Sequence, residues 1–198
     1  PYALNWCSPD LSQISADFAV IDSDIAQNMK DAILQAKKDG NSLGGTIRCF
    51  ITGYPAGIGD ALFGGMEGKL SHILFGIPAV KGVEFGTGFA VADMRGSEAN
   101  DPFAIENDHI VTATNHNGGV NGGITNGMPI RFQTVIKPTP SIYKEQDTVN
   151  IGTMENVKLQ IEGRHDPAII HRARVVVDSV TAIVLSDLLA TRFGTDWF

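Results

Sequence analysis

Basic residues are the scarce charge in this 198-residue chain: 15 Lys and Arg stand against 22 Asp and Glu, for a formal net charge of −7. Nucleic-acid surfaces concentrate Lys and Arg, so this balance argues against one. It leaves room for an anionic small ligand in a locally basic pocket. Cysteine is almost absent, and Cys7 and Cys49 are too few and too far apart for a metal motif. They read as two free thiols of a cytoplasmic protein, with one disulfide as the alternative. The most apolar run, 175–190, is interrupted by Asp178, Ser179, Ser186 and Asp187, which excludes a membrane span. No basic segment followed by an apolar core opens the chain, so no secretory signal is visible. The chain opens Pro1-Tyr2-Ala3 without an initiator methionine, as expected of a processed chain or a piece of a longer one. Ser-His-Asp grammar, CxxC, HExxH and a Walker loop are all missing, which leaves hydrolase and metal readings without a motif.

Glycine is what the chain has in quantity. Five glycines lie between Gly118 and Gly127, interleaved with Asn115, Asn117, Asn121 and Asn126. Such a loop has too little side chain to hold itself and must be fixed by the fold, a partner or a ligand. It leads into the alternation Met128, Ile130, Phe132, hence a strand, and then into Lys137-Pro138-Thr139-Pro140-Ser141. A second glycine loop occupies 53–65. Its Gly57-x-Gly59 lacks the spacing and the following acidic residue of a dinucleotide fingerprint.

Length and a hydrophobic content of 43% predict one domain spanning 1–198 with a sizeable core. The pattern predicts a strand near 18–21, a helix from Asp22 or Ser23 to about Lys38, and a strand over 46–52. A helix over 66–74, a strand over 80–85 and a hairpin partner over 89–94 follow. Residues 96–113 read as loop, with His109 exposed, and 142–160 carries weak strand signals broken by Gly152. The last helix runs 168–192, with Val176, Val177, Val180, Ile183, Val184 and Leu188 on one buried face. Strands and helices do not alternate regularly, so the fold class is α+β rather than a doubly wound sheet.

Two places suit chemistry. Asp166-Pro167 reads as a helix N-cap and first helical residue. The same position sets Arg164, His165 and Asp166 at the positive end of a helix, where anions are favoured. The prolines around Thr139 stiffen a segment offering one cation, two hydroxyls and several backbone groups, which suits a phosphate or the edge of a polar ring. A plain proline-stiffened strand exit is the competing reading.

Ser42-Leu43-Gly44-Gly45, the run 77–86 (IPAVKGVEFG), the stretch 114–141 and 163–167 (GRHDP) stand in an order that resembles chorismate synthase, over nearly the whole chain. The chain looks like the C-terminal part of such an enzyme. The resemblance implies a β-α-β sandwich with helices packed between mainly antiparallel sheets, assembled as a homotetramer. It implies conversion of 5-enolpyruvylshikimate 3-phosphate to chorismate and phosphate, a 1,4-anti elimination that uses reduced FMN with no net redox change. NADPH enters only if a full-length parent reduces its own flavin. By resemblance, Pro78, Ala79, Gly122, Lys137, Pro138, Thr139, Pro140, Ser141 and Arg164 fall at flavin-binding positions. Asp166 matches an aspartate near the reactive flavin nitrogen that helps manage a proton, and Asn115 matches a site-lining residue.

The family's Gly-Glu-Ser-His motif and Ser-Ala-Arg segment do not occur here, and its two catalytic histidines belong to that absent half. Their roles do not transfer to the five histidines present. Arg48, Pro78, Asn117, Val175 and Asp178 also stand where the family tends to carry Glu, Asn, Ala, Pro and Glu. The sequence therefore predicts a fragment inactive alone. A non-catalytic flavin-binding or oligomerisation module is the alternative.

Overall fold

The computed structural model describes residue 12 and residues 14–15, 17–163 and 165–194. Arg164 and Cys7 lie outside the described residues.

The elements in chain order are α1 (Ser23–Lys38), β1 (Gly45–Ile51), α2 (Met66–Phe75), β2 (Val80–Phe85) and α3 (Gly96–Ala99). The hairpins β3 (Phe103–Glu106) with β4 (His109–Thr112) and β5 (Val120–Asn121) with β6 (Ile124–Thr125) follow. The central strand β7 (Ile130–Ile136), the hairpin β8 (Gln146–Asn150) with β9 (Glu155–Leu159), and α4 (Ile170–Phe193) complete the order. Every strand pair is antiparallel, and the class is α+β as expected.

The main sheet has the order β1-β7-β2. One face aligns Ile47, Cys49 and Ile51 with Thr134, Phe132 and Ile130, and these in turn with Val83 and Phe85 of β2. Helices α2 and α4 cover that face, contributing the buried Met66, Leu70 and Leu74 and the buried Val177, Val184 and Leu188. Each fully buried aliphatic side chain there is worth roughly 1.5–3 kcal/mol over its exposed state. Burial also pushes the Cys49 thiol up to about 12, assisted by the Asp178 carboxylate, so it stays protonated and inert. The opposite face carries a polar row. Arg48 Nε donates to Gln133 Oε1 at 3.2 Å, and Gln133 Nε2 donates to Glu84 Oε1.

Local grammar explains most boundaries. Asp22 caps α1 through Oδ1, which accepts from the amides of Asp24 and Ile25. Gly40, at φ +62°, closes that helix, and the Asn41 amide returns to Ala36 O. Four expectations need correction. Residues 18–21 form no strand; Phe18 instead stacks on His171 with ring centroids 4.2 Å apart. Residues 89–94 do not pair with β2, whose partner is β7. A 3-10 helix, Gly88–Asp93, forms there, started by the Phe89 amide donating to Glu84 Oε2. The stretch read as loop holds the β3–β4 hairpin, turned by Asn107 and Asp108 at φ +49° and +63°. His109 is exposed there, as expected. Finally, α4 buries a narrower stripe, Val177, Thr181, Val184 and Leu188, while Val176 and Ile183 stay 45% and 61% exposed.

The glycine loops hold each other through main-chain contacts that side chains would block. A Cβ on Gly86, at φ +57°, would sit 1.9 Å from His116 O. At Gly57, φ +83°, nothing lies within 4 Å. Gly86→Ala is therefore expected to destabilise by about 3 kcal/mol or more, from clash and strain together. Gly57→Ala should lose only about 1–2 kcal/mol, from strain alone. Urea denaturation of both variants checks the difference; equal losses would contradict the packing of the loops.

Candidate functional site

The end of β7 collects most of the residues singled out from sequence. Lys137 N donates to Ala79 O at 2.9 Å, which puts Pro78-Ala79 beside the Lys-Pro-Thr-Pro-Ser run. Ala79 holds φ +75°, a conformation costing an alanine about 1–2 kcal/mol. Ser42 Oγ donates to Thr139 O at 2.6 Å, and Leu43 N donates to Pro167 O at 2.8 Å. Gly44 lies so close that a Cβ would fall 2.4 Å from Ile136 O and 3.0 Å from the Pro138 ring. The segment 42–44 thus ties Pro138 and Thr139 to Asp166-Pro167. Pro78, Ala79, Lys137, Pro138, Thr139, Pro140, Ser141 and Asp166 all lie at this end.

Asp166 does not cap α4 as the Asp-Pro grammar predicts. The helix begins at Ile170, because Pro167 is held by Leu43 and the chain turns once more before entering. Asp166 Oδ1 accepts from the Ala168 amide at 3.1 Å, and Oδ2 accepts from Arg172 Nη2 in the first turn of α4. Both carboxylate oxygens are held, so its orientation is fixed.

The Lys-Pro-Thr-Pro-Ser segment leaves polar groups unused. Thr139 Oγ1 is buried and has no hydrogen-bond partner among the described residues. An orphaned buried hydroxyl costs stability unless something accepts or donates there. The Lys137 side chain is exposed and likewise has no partner among the described residues.

Asn115 and Gly122 belong to the other end. Seven residues of β7 separate the two ends by ~20 Å at the usual strand rise. Asn115 is only 5% exposed, and its side chain is committed inward: Nδ2 donates to Pro129 O at 2.8 Å and Oδ1 accepts from Gly119 N at 2.7 Å. A Cβ on Gly122, at φ +59°, would meet nothing within 4 Å.

Sequence reasoning missed Asp101, which anchors this end. Its Oδ1 accepts from His116 N and Thr114 Oγ1, each at 2.7 Å, and Oδ2 accepts from Asn117 N and Nδ2, each at 2.8 Å. Its burial, with 6% exposed, pushes the carboxyl upward, but those four donors outweigh it and hold the pKa below the ordinary value. The signal was the Asn100-Asp101-Pro102 run, turn chemistry inside a stretch dismissed as loop. His116 is clamped as well: its carbonyl accepts from Thr87 N at 2.7 Å, and its Nδ1 meets Thr87 Oγ1 at 2.9 Å.

A family model described as chorismate synthase matches residues 7–190. The chain belongs to the chorismate synthase family. Chorismate synthase of Dehalococcoides mccartyi is 51% identical over 168 residues, covering 85% of this chain and 46% of the relative. That of Thermococcus gammatolerans is 47% identical over 171 residues, covering 86% and 48%. A crystal structure of chorismate synthase superposes with a TM-score of 0.72 at 29% identity, over 89% of this chain and 46% of that one. The chain spans about half the length of the chorismate synthases it matches. Among the described residues, no helix is long and apolar enough to cross a membrane.

Asp101→Asn puts an amide where four donors expect an anion, and should destabilise the chain by about 2–4 kcal/mol at pH 7. Because the folded carboxyl is held below its unfolded value of roughly 3.9, its contribution is full above that value and is lost as pH falls through the folded pKa. The stability gap between wild type and variant should therefore be widest near neutrality and shrink below about pH 4. A gap independent of pH between 7 and 3, by denaturant titration, would contradict this.

Proposed function

We propose that this chain is the flavin-binding portion of a chorismate synthase, acting in the elimination of phosphate from 5-enolpyruvylshikimate 3-phosphate. The observation that carries the reading is the convergence at one end of β7. There Pro78-Ala79, the rigid Lys-Pro-Thr-Pro-Ser run and the doubly held Asp166 are linked through Ser42, Leu43 and Gly44. When bound, reduced FMN supplies the electron-rich ring that this elimination requires. In this reading, Lys137 and Arg164 offset the negative charge of the cofactor or substrate. Thr139 Oγ1 supplies the hydrogen bond it otherwise lacks. Pro138 and Pro140 keep the segment from closing on itself. Asp166, fixed by the Ala168 amide and Arg172, holds or accepts a proton beside the flavin ring. On the opposite end, Gly122 allows close approach of a ligand to the main chain. Cytoplasmic residence and a homotetramer belong to the same reading.

The two family histidines have no counterpart in this chain, and each absent acid or base is worth about 10²–10⁴ in rate. Phosphate release from the substrate with reduced FMN, followed anaerobically, should be undetectable with the 198 residues alone. It should appear when the complementary half of a chorismate synthase is added. In the complemented enzyme, Asp166→Asn should lower turnover by about 10²-fold or more. Turnover by the chain alone would overturn the assignment of the missing acid–base groups. No turnover after complementation, with flavin still bound, would leave a binding module.

A further inference from the structure

A groove of about 520 Å³ opens beside Asp166, lined by Lys37, Tyr143, His165, Asp166, Pro167 and Arg172. Its charges are two cations against one carboxylate, in a chain that is acidic overall. The carboxylate is already satisfied by the Ala168 amide and one Arg172 nitrogen. Arg172 carries five N–H donors in a planar fork, and its side chain makes no other hydrogen bond or ion pair among the described residues. The Lys37 side chain, at the C-terminal end of α1, makes none among them. Two cations with unused donors therefore face one open space.

The walls are held in place independently of any ligand. The Tyr143 and His165 rings meet edge to face, with centroids 4.4 Å apart. Tyr143 OH donates to Gly163 O, His165 Nε2 bonds to Ile161 O at 3.1 Å, and Tyr143 N donates to Gly40 O at 3.0 Å. The last bond ties this wall to the end of α1 that carries Lys37. We propose that this groove is an anion subsite, in which Lys37 and Arg172 clamp a phosphoryl group while the edges of Tyr143 and His165 bound its substituent. Arg172 then links the bound anion to Asp166, so occupancy and carboxylate position are coupled. The proposal rests on the flavin-enzyme reading only for the natural occupant, a phosphate ester. The site itself is defined by this chain.

The test is titration of the chain with inorganic phosphate, followed by the Arg172 Nε–H resonance and by calorimetry. Saturable shifts at Arg172 are expected, with affinity falling as salt is raised. Lys37→Met, at an exposed helix end, should bind phosphate about tenfold more weakly, and Arg172→Lys should weaken it similarly because the fork is lost. Lys37 has another possible task, offsetting the negative end of α1. If Lys37→Met lowers the melting temperature but leaves phosphate affinity unchanged, the subsite is wrong. Phosphate that binds without moving the Arg172 resonance, or fails to bind at all, also overturns it. Parallel FMN titration separates the two readings: loss of flavin binding alone would count against the proposed function and leave the phosphate result standing.

Discussion

β7 is hydrogen-bonded along both edges, by β1 and β2, and the proline-rich run and the glycine-rich loop leave from its two ends. Its seven residues alternate between the helix-covered core and the polar outer row, so a one-residue slip would carry Ile130, Phe132 and Ile136 to the wrong face. That penalty fixes register. Fixed register in turn decides which loop residues leave the sheet beside which: Lys137 beside Ala79 at one end, Arg131 beside Gly118 and Gly86 at the other. The sheet is small, but it sets the positions of two loops that have almost no hydrophobic content of their own.

The two ends solve the problem of holding a loop differently. At the Lys-Pro-Thr-Pro-Ser end, rigidity is covalent. The prolines restrict the backbone before any contact forms, and a few bonds then suffice, from Ser42 Oγ to Thr139 O, Lys137 N to Ala79 O and Gln146 Nε2 to Pro140 O. At the glycine end, rigidity comes from main-chain contact and one buried carboxylate. Gly118 and Gly119 sit against Gly86, Arg131, Met128 and Pro129 at distances no side chain could share. Asp101 supplies an anion to amides that a glycine-rich loop cannot satisfy internally. The first device tolerates a ligand replacing some of its contacts. The second depends on an internal charge, and so weakens in acid.

What was legible in the sequence follows the same division. The long elements were clear because their signals are local: Asp22 and Gly40 bracket α1, β-branched residues mark β1, and the Lys-Pro-Thr-Pro-Ser run announces a stiff exit. The β3–β4 hairpin was readable too, from Asn107-Asp108 between Ala-Ile and Ile-Val, but its polar surroundings masked it. The start of α4 was not readable. Asp166-Pro167 is sound capping grammar, but Pro167 O is taken by the long-range bond from Leu43 N, and the helix begins at Ile170. The Asn100-Asp101-Pro102 run signals a turn, but not the anchoring role of Asp101, since its partners, two backbone amides and two side chains, lie 13 to 16 residues away. The resemblance fixed the family, while the side-chain geometry had to come from the structure.

Electrostatics at the Lys137 end depends on where carboxylates are absent rather than on the total charge. Exposed pairs such as Lys69 with Asp187 and Lys158 with Asp147 are worth little to stability in water, about 0–1 kcal/mol each. They nevertheless cancel each other's field locally. Lys137 and Lys37 have no such partner among the described residues, and Asp166 is paired with Arg172. Those two cations thus keep a charge that no direct partner offsets, although the chain carries a net −7. In the proposed reading, a phosphorylated ligand needs cations free of direct partners beside one rigid segment more than it needs a basic protein.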